Sequence, residues 1–199
     1  MVDKERTERV DGRSTRWVAH REKRRALLLA RARDVLSSSG HEVAMDELAS
    51  AMGTSKSILY RYFDDRGGLR EALAREVRQE LTTRLVAEDL SGWGPDGDAL
   101  RRIVEIYLRT VDASPELFLF VDVGTGPDTQ AAPFENTALE ALGEEYEALP
   151  PVHRAALIGV LHGVALRWLY STDERSEREI TDLAGQVATW LRAGLLQGR

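Results

Sequence analysis

The side chains of this sequence best suited to bind a polar partner are concentrated in residues 56–63. Ammonium, hydroxyl and guanidinium groups recur there at helical spacing, on Lys56, Ser57, Tyr60 and Arg61. Such groups donate hydrogen bonds to base edges and phosphate oxygens. Leu59 and Phe63 are four residues apart and share another face, so this short helix has one side to bury and one to present.

A preceding helix and a tight turn must hold this segment in place. Apolar residues recur at helical spacing from Met45 to Met52 and stop at Gly53, which can adopt the left-handed backbone that ends a helix. Ser55 is a favourable N-cap for the helix that follows. Two short helices joined by a tight turn form a helix-turn-helix, in which the second helix enters the DNA major groove.

The charge distribution supports a nucleic-acid-binding end. The 199 residues carry a net charge of −6, but residues 1–63 hold 13 Lys and Arg against 9 Asp and Glu, whereas residues 64–199 hold 14 against 24. Residues 12–33 are strongly basic, with Glu22 as their only acid. A basic stretch directly before a helix-turn-helix favours phosphate binding; a solvated helix face is the alternative.

The rest of the chain predicts an all-α protein of about nine helices, without a strand or an internal repeat. A basic helix is expected over 16–37, and a long one with a leucine stripe over 66–88. Pro151 begins a long apolar helix, and Ser176 with Glu179 forms a capping box for the last one. The other helices are expected over 98–112, from Ser114 through the apolar run 117–121, and over 134–149, with loops at 91–97 and 124–133.

Several classes of function are disfavoured by the composition. The chain has no cysteine, which removes disulfides and cysteine zinc sites. Its four histidines are scattered, with no metal-binding spacing, and no glycine-rich phosphate loop occurs, so we expect no enzyme activity, no metal and no cofactor. The charged N-terminus lacks a signal-peptide core and no apolar run spans a bilayer, which favours a cytoplasmic location.

These residues together resemble the tetracycline-repressor (TetR) family. The resemblance rests on Leu28, Leu29, Ala32, Val35, Leu36 and Gly40, on residues 45–49, on Gly53-Thr-Ser-Lys-Ser-Ile-Leu-Tyr-Arg-Tyr-Phe63, and on Arg66 with Leu69. It covers about a quarter of the chain. It implies a dimeric, ligand-responsive transcriptional regulator, most often a repressor, that binds a palindromic double-stranded DNA operator.

Two positions depart from the family pattern. The family usually has a serine or threonine that caps the first helix of the motif and touches a phosphate, whereas this chain has Ala44, followed by Asp46 and Glu47. That end is expected to contribute little DNA affinity. The family's lysine at the start of the fourth helix is Arg66 here, and Gly67 with the glycine after it is expected to loosen that first turn.

DNA contacts are expected mainly from the second helix of the motif. Lys56 and Ser57 would reach base edges, Tyr60 a thymine methyl or a phosphate, and an arginine before the first helix the minor groove. Packing in a small aromatic core is the alternative for both tyrosines, and a disordered tail for Arg13. The expected DNA-binding residues are Arg13, Arg16, Thr54, Ser55, Lys56, Ser57, Tyr60, Arg61, Tyr62 and Arg66.

The acidic body is expected to form a homodimer and to bind an effector. In the family the last two helices pair with their two-fold mates, which implies an interface of Ala156, Gly159, Gly163, Leu183, Val187, Leu191 and Leu195. Packing of another helix of the same chain against the two glycines is the alternative. A small, largely hydrophobic effector would lie among Ile103, Tyr107, Val111, Phe118, Val121, Phe134, Leu157, Leu161, Val164 and Trp168. Its binding would tilt the 66–88 helix and change the spacing of the DNA-binding heads.

The expected organisation is a disordered arm at 1–15, a helix-turn-helix domain at 16–64, a connecting helix at 65–90 and an effector-binding and dimerisation domain at 91–199. The competing interpretation is a helical small-molecule-binding or adaptor protein whose head no longer binds DNA. No contact with a membrane is expected.

Overall fold

Helices account for the regular structure of the part of the chain that the structure describes. The computed structural model describes residues 12–88, 90, 98–122, 133–171 and 176–195, and within these ranges it contains ten α-helices and no strand. The predicted all-α class is confirmed. The chain divides into an N-terminal unit that ends at Leu69 and a C-terminal unit that begins at Arg70. The predicted tail at 1–11 and the predicted loops at 91–97 and 124–132 lie outside the described residues.

Three helices and the start of a fourth make up the N-terminal unit. They are α1 (Gly12–Ser39), α2 (Met45–Ala51), α3 (Lys56–Phe63) and the first turn of α4 (Arg66–Ala87). The helix α1 begins at Gly12, four residues before the predicted start, because residues 13–25 contain no glycine or proline to interrupt it. The expectation of a disordered arm up to residue 15 is therefore wrong for residues 12–15.

The turn between α2 and α3 has the predicted chemistry. Gly53 adopts a left-handed backbone with φ of +66°, and Ser55 Oγ accepts the backbone N–H of Ile58 at 3.3 Å. On the inner side Leu28, Leu48 and Leu59 are buried, and α2 packs against both α1 and α3. Local turn geometry and a small apolar core together fix the angle at which α3 leaves the turn.

The start of α4 is more constrained than its sequence predicts. The Asp65 carboxylate caps it, since Oδ1 accepts the Gly68 N–H at 2.7 Å. A Cβ built on Gly68 would lie 1.8 Å from the carbonyl oxygen of Phe63. The expectation that these glycines loosen the turn is wrong for Gly68, because the absence of a side chain there permits a close backbone contact.

The remaining helices belong to the C-terminal unit. They are α5 (Asp98–Ala113), α6 (Pro115–Asp122), α7 (Pro133–Glu140), α8 (Glu144–Glu147), α9 (Pro151–Leu169) and α10 (Glu177–Leu195). The single helix predicted over 134–149 is wrong: Gly143, with φ of +63°, separates α7 from α8. The predicted capping box of α10 is present, with Ser176 N–H donating to Glu179 at 2.8 Å and Glu179 N–H to Ser176 Oγ at 3.3 Å.

The core of the C-terminal unit is centred on α5, which packs against α6, α7, α9 and α10. The leucine stripe of α4 is buried as predicted, including Leu73, Val77, Leu81 and Leu85. Among the described helices, none combines the length and the apolar character needed to cross a membrane.

Gly68→Ala is expected to destabilise the N-terminal unit by about 1–3 kcal/mol, because the new methyl group would displace the Phe63 carbonyl. Gly67→Ala is the matched control, since its Cβ would meet only the Asp65 carboxylate, at 3.1 Å. Urea unfolding followed by far-ultraviolet circular dichroism measures both variants. A loss of stability in Gly67→Ala as large as that in Gly68→Ala would contradict the steric explanation.

Candidate functional site

The outer face of α3 carries the polar side chains that the spacing predicts. Leu59 and Phe63 are 0% and 2% exposed, so they anchor the helix. The opposite side is open to solvent and presents Lys56, Ser57, Tyr60 and Arg61. The first backbone N–H groups of α3 lie at the same end as Lys56, and a helix N-terminus favours anionic groups such as phosphates.

Lys56 is held by a residue of the preceding helix. Its ammonium Nζ lies 3.1 Å from Asp46 Oδ1 and 5.9 Å from the centre of the Tyr60 ring. The hydrogen bond from Lys56 lowers the pKa of the Asp46 carboxyl, and the same bond raises the pKa of Lys56. Residue spacing along the sequence does not predict this pair, because it connects two helices across the turn.

The N-terminal half of α1 adds a basic, aromatic wall beside α3. The Arg21 guanidinium carbon lies 5.7 Å from the centre of the Trp17 ring and 5.8 Å from that of Tyr62, which are cation–π distances. A groove of about 280 Å³ runs between the two helices and is lined by Trp17, His20, Arg21, Arg24, Ile58, Arg61 and Tyr62. Tyr62 is half-buried, and the two rings limit the positions open to the exposed Arg21 side chain.

Two expected DNA contacts have other roles in the structure. The Arg66 guanidinium donates to the backbone carbonyls of Val43 and, at 2.9 Å, His41, so it braces the segment before α2 rather than extending outward. The Thr54 hydroxyl is buried and has no hydrogen-bond partner within the described residues. Arg66 points inward because the backbone carbonyls of the segment before α2 need hydrogen-bond donors.

Other positions relevant to DNA contacts lie on α1 and at the start of α2. Arg16 is exposed on α1, whereas Arg13 lies in the same helix and its side chain is outside the described residues. Ala44 is the N-cap of α2 and makes no side-chain cap; instead Glu47 accepts the Ala44 N–H at 3.2 Å. This bond engages the Glu47 carboxylate in holding the helix start.

The predicted effector-binding residues pack mainly on one another. Most are buried in the core of the C-terminal unit: Ile103, Tyr107, Val111, Phe118, Val121, Phe134, Leu157, Leu161 and Trp168. Four of them, Tyr107, Val111, Phe118 and Phe134, line a cavity of about 10 Å³ together with Val77 and Leu81 of α4. That volume corresponds to about one water molecule, far below a typical small-molecule pocket.

A buried polar centre lies next to this cavity. Glu135 is 1% exposed, accepts the Tyr107 hydroxyl at 2.5 Å and lies 3.3 Å from His162 Nδ1. The Nε2 atom of His162 lies 3.7 Å from Asp122. From the sequence, His162 was considered only as one of four scattered histidines and both acids were missed, although the spacing of Glu135 to Ala138 and Leu139 on α7 marks a buried face.

The electrostatics of this centre follow from burial and from these short contacts. The hydrogen bond to Glu135 raises the pKa of His162, and the nearby Asp122 adds to that rise. Burial raises the pKa of the Asp122 carboxyl and that of the Tyr107 hydroxyl. The imidazole is thus placed where its protonated form is favoured between two carboxyl groups.

The predicted dimer residues divide between an open face and the core. Ala156, Gly159 and Gly163 are exposed on α9, and within the described residues no atom lies within 4 Å of a Cβ built on either glycine. An apolar groove of about 470 Å³ between α9 and α10 is lined by Gly159, Val160, Gly163, Val164, Arg167, Leu183, Gln186, Val187 and Trp190. The alternative, that a helix of the same chain packs on the glycines, finds no support there.

Two predicted assignments on these helices change, and a third is not described. Val164 lines the open groove between α9 and α10 and not the interior. Leu191 is buried within the chain, whereas its neighbour Trp190 is 62% exposed and lines the groove together with Leu183 and Val187. The side chain of Leu195 is outside the described residues.

An exposed basic helix on a helix-turn-helix scaffold is typical of one class of protein, the helix-turn-helix transcriptional regulators. Residues 28–73 match the family described as bacterial regulatory proteins, tetR family. An HTH-type transcriptional regulator of Mycobacterium tuberculosis strain H37Rv is 35% identical over 118 residues, which cover 58% of this chain and 49% of that protein. The HTH-type transcriptional repressor LfrR of Mycolicibacterium smegmatis is 32% identical over 116 residues, covering 52% and 60%.

Solved structures extend the similarity beyond residues 28–73. A tetR-family transcriptional regulator from Streptomyces coelicolor aligns with a TM-score of 0.62 and 29% identity, covering 86% of this chain and 81% of that one. A tetR-family regulator from Pectobacterium atrosepticum aligns with a TM-score of 0.58 and 25% identity, covering 91% and 98%. The chain is thus similar to tetR-family transcriptional regulators, over residues 28–73 by the family match and over most of its length by these two structures. It spans about half the length of the M. tuberculosis relative.

His162→Gln is expected to cost more stability at low pH than at high pH. Because the folded-state pKa of His162 is raised, its contribution is complete below the unfolded value of about 6.5 and is lost as the pH rises through the folded value. Urea unfolding from pH 6 to pH 9 measures this change. His153→Gln, the same substitution in the first turn of α9, is the control; parallel pH profiles for the two variants would contradict the role of Glu135 and Asp122.

Proposed function

We propose that this protein is a TetR-family regulator, that it represses transcription by binding a palindromic operator as a homodimer, and that a small, largely hydrophobic effector releases it. The observation that carries the proposal is the outer face of α3, which exposes Lys56, Ser57, Tyr60 and Arg61. Leu59 and Phe63, on the other face of the helix, are buried and anchor it.

Base reading is assigned to the N-terminal end of α3. A lysine ammonium there can donate to guanine O6 and N7 in the major groove, and Ser57 can reach either base of a pair. Tyr60, one turn later, is placed for a thymine methyl or a phosphate. These side chains lie on a helix of eight residues whose other side is fully packed.

Phosphate binding is assigned to the basic wall formed by α1 and α3. Arg21, Arg24 and Arg61 border the groove beside Tyr62, and the stacked Arg21 loses little freedom when it meets a phosphate. Such contacts supply affinity that does not depend on sequence and that falls steeply with salt. We therefore assign phosphates to this wall instead of to Arg66, which braces the backbone.

Dimer formation is assigned to the open face of α9 and α10. Exposed glycines at 159 and 163 allow a second helix to approach closely, and the exposed Trp190 offers a large apolar surface. The family resemblance implies pairing of these helices about a two-fold axis. A two-fold dimer presents two copies of α3 to successive major grooves of a palindromic site.

Effector binding is assigned to the aromatic interior next to the polar centre. Because the cavity is small, an effector would stabilise an expanded arrangement in which the rings of Phe118 and Phe134 separate. Val77 and Leu81 of α4 line the same cavity, so expansion would act directly on the helix that continues into the N-terminal unit. The repressor role follows the relative from M. smegmatis, which is named a repressor.

Lys56→Ala and Tyr60→Phe are both expected to weaken binding to an operator duplex. Lys56→Ala should also relax discrimination at one base pair by roughly ten- to a hundredfold, since a base-reading lysine is lost. Fluorescence anisotropy titrations on operator and on scrambled duplexes measure both effects. Arg75→Ala, which removes an exposed positive charge from α4, is the control for net charge.

Two outcomes would contradict these assignments. Equal losses of affinity on operator and scrambled DNA for Lys56→Ala would rule out base reading by that residue. Absence of binding by the wild-type protein even at low salt would instead support an adaptor whose head no longer binds DNA, because phosphate contacts strengthen as salt is lowered.

A further inference from the structure

Asp46 occupies an unusual place for an acid on a DNA-binding surface. It lies in the first turn of α2, and its Oδ1 atom is 3.1 Å from the Lys56 ammonium at the start of α3. Both side chains are exposed, 71% for Asp46 and 46% for Lys56. DNA, a polyanion, therefore comes close to a carboxylate when it approaches this surface. That carboxylate lies beside Lys56, the residue expected to read a base edge.

The acid also offsets an unfavourable position of the lysine. A helix N-terminus carries partial positive charge, so Lys56, as the first residue of α3, is repelled by its own helix. The carboxylate of Asp46 compensates locally, and the nearby Tyr60 ring, 5.9 Å from Nζ, limits where the ammonium can move. The lysine is thus oriented before DNA binds.

The two kinds of acceptor on DNA respond differently to this pair. An ammonium has three N–H donors, so one can stay on Asp46 while the others reach guanine O6 and N7. Those base atoms carry no formal charge. A phosphate drawn to the same ammonium would lie close to the Asp46 carboxylate and be repelled by it.

We propose that Asp46 is a specificity-determining residue of the recognition surface: it directs Lys56 to the neutral acceptors of a base edge and withholds it from phosphates. The inference rests on the operator binding proposed above. Asp46 would weaken binding to arbitrary DNA more than binding to the operator. It would therefore raise the ratio of the affinity for the operator to the affinity for arbitrary DNA.

The neighbouring acid offers a matched control. Glu47 lies in the same helical turn and carries the same charge, but its carboxylate accepts the Ala44 N–H and serves the start of α2. Glu47→Gln keeps an acceptor for that bond while removing one negative charge. Asp46→Asn removes the same charge from the residue that contacts Lys56.

The test uses the full chain, a duplex selected by the wild-type protein from a random pool, and a scrambled duplex of the same composition. Asp46→Asn is expected to raise affinity for the scrambled duplex about two- to fivefold, the range for loss of one exposed ion pair, and to raise it less on the selected duplex. Its salt dependence on scrambled DNA should steepen by about one phosphate contact. Glu47→Gln should shift both affinities by the same factor.

A double variant separates the role of Lys56 from a general charge effect. In the Lys56→Ala background, Asp46→Asn is expected to leave the ratio of affinities unchanged. An unchanged ratio in the single Asp46→Asn variant, or an equal fall of the ratio with and without Lys56, would overturn the proposal. If the wild-type protein itself enriches no sequence, that result contradicts the proposed operator binding, and with it the proposed role of Asp46.

Discussion

Burial of Leu59 and Phe63 determines which side of α3 faces outward, and the DNA-binding surface depends on it. With these two side chains in the core, the remaining polar residues of an eight-residue helix must lie on the open side. The turn before α3 and the close contact between Gly68 and the Phe63 carbonyl fix both ends of the helix. Base-reading groups need such a rigid support, because a hydrogen bond to a base edge discriminates only when its donor is held in place.

Local patterns predicted the helices of this chain well, whereas contacts between helices could not be predicted. The cap by Ser55 and the positive φ of Gly53 follow from residue type and position alone. The ion pair of Asp46 with Lys56 and the bracing role of Arg66 depend on how two or three elements meet, which periodicity does not specify. The break at Gly143 was missed because apolar residues continue at helical spacing on both sides of it.

The C-terminal unit combines a nearly closed interior with an open outer face. Buried Glu135, its hydroxyl partner Tyr107 and His162 form a polar centre in a mainly apolar core, and such groups are costly unless they are mutually bonded. The aromatic side chains beside it pack without room for an effector. The groove between α9 and α10, in contrast, leaves glycines and a tryptophan exposed. Effector binding would therefore have to open packed contacts, whereas dimer formation would use a surface that is already formed.

The central claim is that two copies of α3, related by a two-fold axis, read one DNA site. Selection of binding sequences from a random duplex pool by the full chain, followed by the mass of the complex with the enriched duplex, tests this claim most directly. The account predicts an inverted repeat whose half-site centres are about one helical turn, or a multiple of it, apart, with at least two protomers bound to each duplex. A single unrepeated site bound by one protomer, or a pool without any enriched sequence, would contradict it.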